Sequence, residues 1–194
     1  MKVTLAINAY GMPVNRKGTQ VLDRAYVSKT AEVRFPARAE DHAQVLDQAT
    51  VFDHACVHGF AQVNEQAGVD GHADIGDRAI LLGNAYATHN SRVYGAARVL
   101  ENARLYGNAQ VYGQASVYGN SVVDDEAQIY GNARVEDSWI DRDAHVCGNA
   151  WIIGAEIYGG VWDGSEGKIE GGSWLSPGKS CRTNRPLKLA NPNP

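Results

Sequence analysis

The chain has 194 residues, a length within the range of one domain. Its net charge of −4 gives no general attraction for phosphate backbones, so nucleic-acid binding is not expected. Three cysteines, odd in number and irregular in spacing (Cys56, Cys147, Cys181), spell neither a disulfide framework nor a zinc finger, and no apolar run reaches membrane-spanning length.

In chain order, residues 1–20 read as an amino-terminal cap, with Val3, Leu5 and Ile7 alternating. Met1 to Leu5 lacks the apolar stretch of a signal peptide, so a cytoplasmic protein is expected. From Val21 a six-residue period begins: Val21, Val27, Val33, Ala39, Val45, Val51 and onward to Ile129 and Val135, twenty positions, all aliphatic. Four residues after each stands a second column, Ala25, Ala31 and onward to Ala133, which is Ala except for Ser91, Ser121 and Trp139. Between the two columns, most positions two residues after the aliphatic are Gly, Asp or Glu, often followed by Asn.

Side-chain alternation turns this pattern into structure. The small residue and the next aliphatic point inward from a short strand, and the residues between and after them point out. Gly-Asn or Asp-Xaa then turns a corner, because such residues tolerate positive φ. Three corners close a triangular coil of eighteen residues, and about nine coils at the interstrand spacing make a rod on the order of 40 Å long. A helix is excluded, since a period of six with glycine at the corners fits neither the 3.6-residue turn nor helix propensity. The expected class is all-β, with a solenoid over 21–175.

The register slips by one after Val135, since Ile140, Val146 and Ile152 resume at six, and again before Ile157. Trp139, Trp151, Trp162 and Trp174 all fall in this stretch, and large aromatics in place of Ala predict a widened or plugged coil. Residues 176–194 form a Pro-containing basic tail (Lys179, Arg182, Arg185, Lys188), read as a frayed terminus or as an arm clasping a neighbouring subunit.

Runs such as Leu105-Tyr106-Gly107-Asn108-Ala109 and Ile129-Tyr130-Gly131-Asn132-Ala133 resemble the hexapeptide-repeat left-handed β-helix superfamily, and most closely the YdcK-type β-solenoid repeat proteins, over positions 21 to about 155. The resemblance implies a left-handed, single-stranded β-helix and packing as a homo-oligomer, with a trimer favoured. For function it is broad, because acyltransferases, γ-class carbonic anhydrases and structural proteins share the fold.

Stacking at eighteen lets the surface be read in columns. Face one carries Tyr94, Tyr112 and Tyr130 as a ladder, below His58 and Gly76. Face two carries an apolar stripe of Leu46, Ile80, Leu82, Leu100 and Tyr118, expected to be an interface between subunits. Asn84, Asn102 and Asn120 stack along its corner, and face three shows Phe52, Tyr86, Tyr106 and Val122.

The candidate site gathers around the histidines. His54 and His72, eighteen apart, belong to one corner, and His89 is placed at that corner one coil further on. Nearby on face one are Cys56, His58, Asp74, Arg92 and Tyr94, with Gly76 expected to leave a notch between His58 and Tyr94. Imidazole, thiol and carboxylate suit a divalent metal, His58 or Cys56 a base or nucleophile, and Arg92 with imidazoles an anion; a plain polar corner has the same composition. The γ-class anhydrase pattern fails here: its close histidine pair comes last, whereas His54 and His58 come first. Hexapeptide acyltransferases carry a catalytic histidine on a loop that interrupts the coils, and no insertion breaks the register between Val21 and Val135; only His58 could substitute.

The expected function is therefore a non-enzymatic, oligomeric scaffold or binding module, without cofactor or membrane. One alternative is an acyl-coenzyme-A-dependent acyltransferase, with acyl-coenzyme A as cosubstrate. Another is a viral or bacterial protein that sequesters a small anionic or nucleotide ligand, and protein partners remain open.

Overall fold

The structure is a computed structural model and describes residues 6–7, 13–14, 20–165, 167–175 and 187–188. Strands of two or three residues recur from Gln20–Val21 to Ser173–Leu175, and no helix occurs among the described residues. Each pairs in parallel with the strand one coil away: Tyr26 with Gln44, Gln62 with Ile80, Gly68 with Tyr86, Asp74 with Arg92. The result is three flat walls. Wall one and wall two are nine strands deep, and wall three has ten, the last being Leu187–Lys188, which pairs antiparallel with Ser173–Leu175. The three faces read from the sequence are these three walls, and the eighteen-residue triangular coil is the one expected.

The corners explain the Gly, Asp and Glu column. Its Gly, Asp and Glu residues adopt positive φ, as at Asp41 (57°), Asp77 (55°), Glu101 (61°), Gly59 (67°) and Gly113 (72°), whereas Lys29 and Phe35 in the first coils do not. Glycine does this without steric cost. Four of the acidic residues, Asp41, Asp47, Asp77 and Glu101, offset theirs with a hydrogen bond along the rod. Asp41 Oδ2 accepts from the Gly59 N–H at 3.0 Å, Asp77 Oδ2 from Gly95 at 2.9 Å, and Glu101 Oε2 from Gly119 at 3.0 Å. A corner acid thus satisfies a backbone donor of the next coil that has left the strand ladder.

Inside the walls the core is one continuous column of Val, Ile, Leu and Ala, almost all with no exposed surface. Ala87 replaces the usual branched residue, and the other two walls of its coil carry Ile75 and Leu81, both larger than Val and fully buried.

Beyond Val122 the register shortens from eighteen to seventeen, with Val122 opposite Trp139 and Val123 opposite Ile140. The corner after Val135 has lost one residue. This corrects the reading of Trp139 as a core replacement for Ala. Ser138 takes the small inward position and is buried, while Trp139 faces outward with 45% of its surface exposed. Serine suits the site because it settles the irregular backbone. Ser121 Oγ donates to the Tyr118 carbonyl (2.6 Å), and Ser138 Oγ donates to that of Glu136 (2.6 Å) while accepting from the Ala155 N–H (3.2 Å).

Trp151 is also outward, with Arg134 and Lys168 over its ring at 6.0 and 4.4 Å. Trp162 and Trp174 do plug the interior, but they replace branched aliphatics rather than alanines: Trp162 stands opposite Val146 and Trp174 opposite Ile157. Their rings meet edge to face at 6.0 Å. Of the proposed cap, Val3 and Leu5 lie outside the described residues, and Ala6–Ile7 pairs antiparallel with Pro13–Val14. The basic tail and Cys181 also lie outside them, apart from the strand Leu187–Lys188.

Candidate functional site

Wall one and its corner with wall three bring together six of the residues singled out in the sequence, Cys56 among them. His54, His58, His72, Asp74 and Arg92 line an open groove of about 750 Å³, together with Arg38, Glu40, Asp41, Cys56, Asn90 and Asn108. The corner row is built by backbone bonds from coil to coil. His54 N donates to Gly71 O at 2.8 Å and His72 N to His89 O at 2.6 Å, which holds the side chains of the row one coil apart. The rings of His54 and His72 stack at 4.8 Å, 19° from parallel.

His89 does not extend that row. Eighteen residues from His72 is Asn90, whose side-chain amide donates to Asn108 at 3.1 Å, and Asn108 in turn donates to Glu126 at 2.7 Å. His89 occupies the positive-φ corner position and meets Tyr106 of wall three edge to face at 6.2 Å. Gly76 and Tyr94 are also outside the groove lining. The notch expected at Gly76 is filled, because the His58 imidazole lies over it: a β-carbon there would stand 2.5 Å from His58 Nε2. The same nitrogen meets Asp74 Oδ1 at 3.1 Å. An aromatic ring from the adjacent coil thus covers the glycine that follows strand Asp74–Ile75, as Tyr86 covers the strand residue Gly68 on wall three.

Below the groove, Tyr94, Tyr112 and Tyr130 stack at 4.8 and 4.9 Å, nearly parallel. The phenols of Tyr94 and Tyr112 donate to the side-chain oxygens of Gln110 and Gln128 at 3.3 and 3.2 Å. Partial burial raises the pKa values of these two phenols, and the stacked rings brace the wall.

Cys56 is not an activated nucleophile. Burial, then the Glu40 carboxylate, pushes its thiol up to about 12, and Sγ donates to Glu40 Oε1 at 3.7 Å. In a Cys147→Ser, Cys181→Ser variant, iodoacetamide at pH 8 is expected to alkylate Cys56 at least roughly a hundredfold more slowly in the folded protein than in urea. Equal rates by mass spectrometry would overturn this. Among the described residues, no three His, Cys, Asp or Glu side chains converge to hold a metal ion.

On wall two, Leu82, Leu100 and Tyr118 follow one another in one outward row, each half-buried. Leu46 belongs to that row but is separated from Leu82 by Asn64, whose buried side-chain oxygen has no partner among the described residues. Ile80 stands in the neighbouring row, between Gln62 and Arg98. Along the corner, Asn84 donates to Asn102 at 3.0 Å, Asn102 to Asn120 at 3.3 Å, and Asn120 to Asp137 at 3.1 Å.

Sequence reasoning missed the most exposed large apolar side chains, which lie in the first coils: Phe35, Tyr26 and Phe60. Phe60 stacks on His42 at 4.8 Å, and Arg34 lies over Phe52 at 4.5 Å. The signal was present, since each of the three exposed residues occupies a corner or outward position that is elsewhere mostly polar.

Residues 127–143 match the family model described as the YdcK beta solenoid repeat. Over this stretch the chain is similar to the YdcK-type solenoid repeat. The matched stretch spans the shortened corner around Ser138, so the YdcK pattern continues through the change of register from eighteen to seventeen. Among curated proteins, no sequence matches the chain.

Proposed function

We propose that this protein is a non-enzymatic β-solenoid scaffold that self-associates through wall two and leaves wall one as a binding face. The observation that carries the reading is the Leu82–Leu100–Tyr118 row. It is a continuous apolar line on a flat, rigid wall, and burying it against a second copy removes it from water. Charge supports an arrangement with rods side by side and pointing the same way. Arg98 and Arg134 border the row on one side, and Asp47, Glu65 and Glu101 line the corner on the other. A rotation axis along the rod turns the basic border of one copy to the acidic corner of the next, whereas an axis across the rod sets like charges together. A closed trimer satisfies this geometry. The non-enzymatic part of the reading is supported by the even spacing of strands from Gln20–Val21 to Arg134–Glu136, which leaves no catalytic loop on the walls, and by the protonated Cys56 thiol.

Light scattering is the test. The wild type is expected at a multiple of 20.9 kDa, and the Leu82→Glu, Leu100→Glu variant at 20.9 kDa with an unchanged far-ultraviolet circular dichroism spectrum. A wild type found as monomer at tens of micromolar overturns the proposal.

A further inference from the structure

We infer that the wall-one groove binds a small oxyanion, a carboxylate or a phosphate, between Arg92 and the His54–His72 pair. The inference follows from the hydrogen-bonding and charge partners within the groove. Arg38 is paired with Glu40 at 3.2 Å. Asp41 accepts from the Gly59 N–H at 3.0 Å. Asp74 stands in register with Arg92 one coil away and is its natural partner, yet its carboxylate is turned to His58 Nε2 at 3.1 Å. On the other side Arg92 is in register with Gln110, which accepts from Tyr94. Arg92 is therefore exposed and without an ion pair among the described residues, while each carboxylate of the groove is already engaged.

The corner row leaves the same demand. Asn90 spends an amide N–H on Asn108, and Asn108 spends one on Glu126. His54 and His72 stack on each other, and each imidazole keeps at least one N–H donor in either tautomer. What the Arg92 guanidinium lacks is an anionic acceptor. A planar or tetrahedral oxyanion supplies two or more, and the guanidinium fork takes two of its oxygens at once. Wall one is not the face assigned to self-association, so the inference stands or falls separately from the oligomer.

The experiment is a calorimetric titration with inorganic phosphate and, separately, with succinate, at constant ionic strength set by sodium chloride. It is run on the wild type and on the Leu82→Glu, Leu100→Glu variant. Saturable binding of at least one probe to both is expected, and which of the two binds more tightly separates phosphate from carboxylate recognition. Arg92→Ala is expected to weaken it at least tenfold, His72→Gln by a smaller factor, and Arg98→Ala on wall two not at all. Arg92 is exposed, so its loss does not threaten the fold. No saturable heat with either probe overturns the inference, as does equal binding by Arg92→Ala.

Discussion

Truncation of Trp162 to alanine is expected to destabilise the protein by about 3–5 kcal/mol, the largest effect of any single truncation considered. The indole is 1% exposed. It fills the core position opposite Val146, and its Nε1–H donates to the Gly159 carbonyl at 3.0 Å. Removing it opens a cavity at the carboxy-terminal end of the rod and leaves that carbonyl without its side-chain donor. Trp174→Ala is expected to cost less, since Trp174 is only partly buried, although it too anchors a carbonyl, that of Gly171 at 2.8 Å. Because each coil contacts only its neighbours, the damage should remain local. Amide exchange should rise across residues 145–175 and stay unchanged across 57–111. Urea denaturation with hydrogen exchange reads both quantities. A loss below about 1 kcal/mol, or exchange that rises evenly along the rod, would show that the tryptophan is not the plug described.

The second large effect comes from adding volume. Ala87→Val inserts two carbons into a fully buried coil whose other two walls already carry Ile75 and Leu81, larger than Val, and it is expected to cost about 1–3 kcal/mol. In the Leu81→Val background the same change is expected to be close to neutral, because the coil returns towards the valine-rich packing found elsewhere in the rod. A double-mutant cycle by thermal unfolding measures this coupling. Additive losses would mean that the three walls of a coil do not share one packing volume.

The aliphatic and alanine columns define the strands, the walls and the corner positions without further information, because period six and side-chain alternation leave only one way to bury both columns. Counting four from Val135 turns Trp139 inward only if the corner is full. Only the fold shows that the residue was lost before Ser138, and that a serine able to bond its own backbone replaces alanine there. His89 was joined to His54 and His72 although their row continues to Asn90; a step of one along the chain carries a side chain round the corner from wall one to wall three. The filled notch at Gly76 was beyond reach for a different reason. An empty glycine and one covered by a ring from the neighbouring coil read identically in sequence, because the direction in which His58 folds is set by Asp74 in the adjacent row. The stripe on wall two was legible in its members, but not the interruption at Asn64 or the displacement of Ile80 to the next row.

The unbroken pairing of each strand with the one a single coil away also bears on how the chain reaches this structure. Parallel sheets generally form slowly, because distant segments must meet before any contact is rewarded. Here every ladder contact between successive coils closes a loop of sixteen to eighteen residues, whichever pair of strands is considered. Once two coils are in register, each further coil adds against an existing edge at nearly the same entropic cost, so the rod can grow from an interior nucleus towards both ends. The well-packed valine layers around Val111 and Val117 are suited to start that growth, and the tryptophan-plugged end to finish it.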